Sequence, residues 1–228
     1  MKRFYKTVGI KQQGTLFVVT LDGRPMKTPG GEVLVLRSPR LADAVAAEWA
    51  RQETEIDLDS MHLTRLAYGA IDNEPQRGEI AAAILKFAGS DLTCYRAEEP
   101  AELTRRQEAA WDMPLVWVKA RYGASLRTTK GIAHIAQPAD AIGALEHAIS
   151  GRDMYALVAL NAATGILGSL VLALNLADAK LDASAAFAAA HIDETFQAEK
   201  WGLDLEAKRR LDRRRAELES IEQFLRLL

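Results

Sequence analysis

Several things are scarce in this 228-residue chain, and each scarcity excludes a class of function. A single cysteine, Cys94, rules out an intramolecular disulfide framework and agrees with a reducing compartment. Neither sign of charge is in excess: the net charge of -2 gives no global electrostatic reason to expect nucleic acid or an anionic membrane as partner. Metal-ligand pairs are missing as well. His191 and Glu194 fall three apart, with Asp193 nearby, but no second His/Cys pair at ligand spacing completes a site, and His62, His134 and His147 stand alone. Gly30-Gly31 lacks Walker spacing and a following Lys-Ser/Thr, so no phosphate loop is expected. No serine sits in a G-x-S-x-G elbow. Cys94 has Arg96 nearby to lower its pKa but no adjacent histidine, and a small buried thiol is the simpler reading. The expectation is no enzyme, no metal and no cofactor. The basic start Met1-Lys2-Arg3-Phe4-Tyr5-Lys6 has no apolar h-region after it, so a cytoplasmic location is expected.

What is present begins with a β-rich third. Phe4 to Gln12 and Thr15 to Leu21 flank a Gln13-Gly14 hairpin signal, and Asp22-Gly23 marks a second turn. Arg24 and Lys27 then sit on a backbone that Pro25 and Pro29 hold extended. Glu32 to Leu36 reads as another short strand. Ser38-Pro39 gives an N-cap with proline at the first helical position, followed by Leu41, Ala44, Val45 and Trp49 on one face. A polar turn cluster at Asp72-Asn73-Glu74-Pro75 marks the change to helical periodicity. The expected fold class is therefore α+β: a small N-terminal β-rich α+β domain over residues 1–75, then a larger all-α helical domain over 76–228.

In the second part, Leu103 to Tyr122 reads as one helix that Pro114 should kink, and Pro138 opens another. Residues 154–177 carry no charge and are long enough to span a bilayer. Asn161, Thr164, Gly165, Gly168, Ser169 and Asn175 interrupt them and aromatic belts are absent, so two buried helices meeting near Ala163-Thr164-Gly165 are expected instead. Asp182 caps a helix expected to run on to Trp201-Gly202. The last helix places Leu211, Leu218, Ile221, Leu225 and Leu228 near heptad spacing. Its basic run Lys208 to Arg215 is interleaved with acids at pairing distance, which favours a solvated, ion-paired face over a nucleic-acid surface.

One stripe is suited to recognition. Glu194, Gln197 and Trp201 fall at i, i+3 and i+7, and Asp193 neighbours Gln197 at i+4. A carboxylate, an amide and an indole suit a polar partner surface, since tryptophan is a frequent interface anchor; solvation of a helix around a core-capping Trp201 is the competing reading. The rival class is a non-enzymatic adaptor that binds another protein or nucleic acid through the basic C-terminal helix.

Taken together, these segments resemble the assembly chaperones that act on the alpha subunit of the F-type ATP synthase catalytic head. The resemblance is carried by Lys2-Arg3-Phe4-Tyr5-Lys6, Leu21-Asp22-Gly23-Arg24-Pro25-Met26-Lys27-Thr28-Pro29, Ala47-Glu48-Trp49, Leu63-Thr64-Arg65-Leu66-Ala67 and Ala70-Ile71-Asp72. Asp91 to Ala97, Gln107, Trp111-Asp112, Ser169-Leu170, Asp193-Glu194, Gln197 and Trp201-Gly202 continue it in order. His62 stands where the family usually has proline, and Pro114 lies one place later than usual. The resemblance implies a protein with no catalytic activity that binds the unassembled alpha subunit; the family occurs in mitochondria and in related bacteria, and with no transit segment evident a bacterial member is expected. Its expected contacts are Glu194, Asp193, Gln197 and Trp201, with Arg24 and Lys27 as lesser ones.

Overall fold

The computed structural model describes residues 1–202 and 204–228. Six strands and ten α-helices are assigned among them. In chain order they are β1 (Val8–Gln13), β2 (Leu16–Leu21), β3 (Arg24–Pro25), β4 (Val35–Leu36), α1 (Pro39–Ala50), α2 (His62–Asp72), α3 (Arg77–Ala88), β5 (Tyr95–Arg96), α4 (Ala101–Tyr122), β6 (Thr129–Lys130), α5 (Ala139–Ser150), α6 (Met154–Leu167), α7 (Leu170–Ala177), α8 (Ala183–Ala190), α9 (Ile192–Trp201) and α10 (Leu205–Leu227). The class is α+β, with the main sheet in the N-terminal part and helices after it. Two compact units are separable. The first comprises Met1–Arg77, Asp153–Ala159 and Gln223–Leu228; the second comprises Gly78–Arg152 and Leu160–Glu222.

In the first unit, β2 is the central strand. It pairs antiparallel with β1 from Val8↔Leu21 to Gln13↔Leu16, and its other edge takes β3 at Leu21↔Arg24 and β4 at Phe17↔Leu36. Val18 to Leu21 are consecutively buried, which explains why the strand reads as an apolar run rather than an alternation. The Asp22-Gly23 turn has φ of 48° and 78°, the pair of positive values that a two-residue hairpin loop of the primed type requires. The Asp22 carboxylate then accepts from the backbone N–H of Lys6 and Thr7, tying the N-terminal segment to the turn. Strand β4 is shorter than the Glu32–Leu36 run suggests: before it, Lys27 and Val33 make only an isolated bridge.

The stretch from Leu21 to Pro29 is thus mostly scaffold. Met26 is buried and its N–H donates to the Val19 carbonyl. Thr28 is buried and its hydroxyl donates to Asp72, whose second oxygen accepts the Gly30 N–H at 3.0 Å. A Cβ on Gly30 would stand 2.6 Å from Asp72 Oδ1, so glycine is what lets that carboxylate close the loop.

Helix α1 opens as its sequence dictates, with Ser38 Oγ accepting the Leu41 N–H, and it buries Leu41, Ala42, Val45 and Trp49. Helix α2 has no capping side chain of its own. Glu48, from α1, supplies the cap: its carboxylate accepts the N–H of Leu63 at 2.9 Å and of Thr64 at 2.8 Å, plus the Thr64 hydroxyl. An anion at a helix N-terminus satisfies orphan donors and complements the dipole. His62 opens α2, a position where the N–H has no intrahelical partner and proline is equally at home.

The second unit is helical except for a two-residue parallel pairing of β5 with β6. Helix α4 runs unbroken from Ala101 to Tyr122 with Pro114 inside it, and Asn175 Nδ2 donates to the Pro114 carbonyl at 3.2 Å. Trp111 lies at its buried centre and donates to the Ala189 carbonyl at 2.8 Å. The uncharged segment does form two helices, α6 and α7, but they meet at Gly168-Ser169 and not near Gly165. Thr164 bonds back to the Leu160 carbonyl and stays helical, whereas Gly168 adopts φ of 62° and Ser169 caps α7. No helix among the described residues is long and apolar enough to cross a membrane.

Asp91 organises the residues around that break. It is fully buried and accepts four hydrogen bonds, from the Thr93 N–H and hydroxyl, the Ser169 hydroxyl at 2.7 Å and the Val171 N–H at 3.0 Å. Burial pushes its carboxyl above the ordinary range against the pull of those four donors. The helix expected to run from Asp182 to Trp201 is two helices, broken at His191. That ring stacks on Phe187 at 4.0 Å and its Nδ1 meets the Phe187 carbonyl at 2.9 Å, an interruption that no Gly or Pro announces.

Candidate functional site

Helix α9 has two distinct faces. Inward, Phe196 is buried, and the Lys200 ammonium lies 4.2 Å from its ring centroid. Beside it Glu199 pairs with Arg106 at 2.8 Å, and Arg106 also holds Glu102 at 2.6 Å. Outward, Glu194, Gln197 and Trp201 share the exposed stripe that their spacing predicts, and the Trp201 indole is 78% exposed. Among the described residues none of the three has a hydrogen-bond or ion-pair partner. The stripe therefore leaves a large apolar ring in water, which a core-capping tryptophan would not show. Gly202, with φ of 80°, ends the helix.

Asp193 is placed differently. Its Oδ1 accepts from Gln107 Nε2 at 2.7 Å, and Gln107 Oε1 in turn accepts the Ala97 N–H. Asp193 therefore positions α9 against α4 and the Asp91–Ala97 segment. It also borders a cavity of about 650 Å³ with Tyr95, Glu98, Glu99, Lys130 and Ile132. Ile132 is wholly exposed at its edge. Sequence pattern could not single out this loop, because only the pairing of β5 with β6 brings it to Asp193. Arg24 and Lys27 belong to the first unit, where both are exposed and border a separate cavity.

Residues considered for chemistry are otherwise engaged. Cys94 is fully buried, and its thiol is pushed up to about 12, mainly by burial and further by Asp91; the downward pull of Arg96 is the weaker effect. Arg96 instead donates to Asp112 at 2.8 Å and to the Thr93 carbonyl, and lies 4.9 Å from the Trp111 ring centroid. The expected outcome is that a thiol reagent at pH 8 leaves Cys94 unmodified in the native protein and modifies it fully in denaturant; rapid native modification would contradict this burial. Among the described residues no group of three His, Cys, Asp or Glu side chains is arranged to hold a metal ion.

The basic run on α10 is not the ion-paired ladder its spacing suggests. Among the described residues none of the pairs Glu206–Arg210, Lys208–Asp212, Arg213–Glu217 or Arg215–Glu219 forms. Exposed pairs of long side chains gain only about 0–1 kcal/mol, too little to fix them. Arg214 instead donates to the Ile166 carbonyl at 2.6 Å, and Arg215 lies over the Phe187 ring. Lys208, Arg209, Arg210 and Arg213 remain exposed among the exposed acids Glu206 and Asp212, a mixed-sign face unlike a phosphate-binding stripe.

Comparison with known proteins gives this arrangement a setting. The chain superimposes on the crystal structure of Atp12 from Paracoccus denitrificans with a TM-score of 0.94, at 37% identity, covering 99% of this chain and 97% of that one. Atu1473, a putative chaperone from Agrobacterium tumefaciens, matches at the same TM-score of 0.94 and 37% identity, over 99% of this chain and 85% of that one. A curated relative, Protein atp12, mitochondrial, from Schizosaccharomyces pombe, is 23% identical over 215 residues, which is 88% of this chain and 74% of the relative. The profile of the family described as ATP12 chaperone protein matches residues 2–119, more than half of the chain. The chain belongs to the ATP12 chaperone family.

Proposed function

We propose that this ATP synthase assembly chaperone binds the unassembled alpha subunit of the F-type catalytic head, shields its apolar interface and releases it to the neighbouring subunit. The observation that carries the contact surface is the α9 stripe: Trp201 stands in water beside Glu194 and Gln197, whose side chains have no hydrogen-bond or ion-pair partner among the described residues. A ring subunit before assembly exposes an apolar interface bordered by charge, and a complementary surface masks it. Release needs no chemistry, because the true neighbour competes for the same interface by mass action. Asp193 contributes by holding α9 through Gln107. Arg24 and Lys27 are lesser contacts, and the cytoplasm is the compartment in which the chaperone works.

Replacing Trp201 by alanine tests the anchor. Affinity for the purified alpha subunit falls about 30-fold or more, as for a buried aromatic hot spot. The thermal midpoint moves by no more than about 2 °C, because the side chain makes no core contact. Unchanged affinity would remove Trp201 from the interface.

A further inference from the structure

The second cavity, of about 600 Å³, lies wholly within the first unit, and its walls combine two kinds of surface. Phe4, Tyr5, Trp49 and Tyr68 supply rings, while Arg24 and Lys27 supply cations that have no ion-pair partner among the described residues. Rings beside cations repel a cationic guest and favour an anion joined to an apolar body.

Two polar groups sharpen this. Trp49 is only 4% exposed, and its indole Nε1 is buried without a hydrogen-bond partner among the described residues. A buried N–H left unpaired in a native fold is rare and costly. The nitrogen itself is closed to solvent. Tyr68 lines the same cavity; its hydroxyl has no partner among the described residues, and burial pushes its pKa up to about 12, so it stays a donor. The acid on the wall, Asp22, is already occupied by the N–H groups of Lys6 and Thr7.

We infer that this cavity is a binding site for a carboxylate carried on an apolar or aromatic body, its charge met by Arg24 and Lys27, its oxygen by the Tyr68 hydroxyl, and its apolar body by rings that include the Trp49 indole. An acidic residue next to a large apolar side chain in an extended peptide fits this chemistry, and so does a free organic acid. The site uses the first unit alone and does not rest on alpha-subunit capture.

The test uses the full chain and three probes: acetyl-Phe-Glu-amide, acetyl-Phe-Gln-amide and phenylacetate. The readout is the Trp49 indole N–H resonance, assigned by its loss in Trp49→Phe. The Glu peptide shifts that resonance saturably and binds at least about tenfold tighter than the Gln peptide, and the double variant Arg24→Ala, Lys27→Ala abolishes the difference at an unchanged melting temperature. Phenylacetate binding as tightly as the Glu peptide identifies a free acid as the guest; weaker phenylacetate binding identifies a peptide. Equal affinity for the Glu and Gln peptides, or an unmoved Trp49 resonance at millimolar Glu peptide, overturns the inference.

Discussion

Replacing Asp91 by alanine lowers the stability of the fold by about 3–5 kcal/mol, measured by urea unfolding. The size follows from what the carboxylate holds. Thr93 and Ser169 can turn their hydroxyls elsewhere, but the backbone N–H groups of Thr93 and Val171 point at Asp91 and cannot. Each stranded buried donor costs about 1–3 kcal/mol, and the lost side-chain volume adds a cavity. Asparagine is the informative intermediate. Its carbonyl oxygen keeps the Thr93 and Ser169 bonds, while its amide nitrogen faces the Val171 N–H, donor against donor, so it falls between wild type and alanine. The pH dependence has a definite sign. Because burial holds the Asp91 carboxyl above its ordinary range, the folded chain binds that proton more firmly than the unfolded chain does. Its stabilisation is full below the unfolded value and declines as pH rises through the folded one, so the gap between wild type and Asp91→Asn narrows from acid upward. An alanine variant within about 1 kcal/mol of wild type would show that the network is dispensable.

Reversing the charge at Glu194 has its large effect on binding rather than on folding. Glu194 is exposed and has no partner among the described residues, so Glu194→Lys removes no internal contact. It does place a cation in the first turn of α9, where the helix dipole favours acids, at a cost of roughly 0.3–1 kcal/mol. If α9 is the proposed contact surface, capture of the alpha subunit falls at least about tenfold, since the variant reverses the charge presented there. Glu194→Gln separates the two effects: it spares the helix most of the dipole penalty and loses only part of the affinity. If Glu194→Lys retains full capture, the recognition surface lies elsewhere.

Local signals in the sequence are a good guide to several features that depend on neighbours along the chain, although they misplace the α6–α7 junction, which falls at Gly168-Ser169. The Asp22-Gly23 turn, the Ser38 cap on α1, the Gly202 stop and the exposed stripe of α9 are all of this kind. What pattern could not show depends on distant partners. Asp91 meets Ser169 and Val171 across 78 and 80 residues, and Glu48 caps a helix that begins beyond an intervening loop. The break at His191, whose ring stacks on Phe187, is signalled by no breaker residue. Asp193 is placed beside Gln197 by its i, i+4 spacing, but its bond to Gln107, 86 residues away, is not visible in that spacing. The indole of Trp49 was legible as core, but not as a core donor left unpaired.

The central claim is selective recognition of one subunit, and co-expression followed by pull-down tests it most directly. The tagged chaperone is produced with the alpha subunit alone, with the beta subunit alone and with both. The account predicts recovery of alpha in the first case, none of beta in the second, and a decrease in bound alpha in the third as beta competes for it. Recovery of beta, or failure to recover alpha when both proteins are folded and abundant, would contradict it.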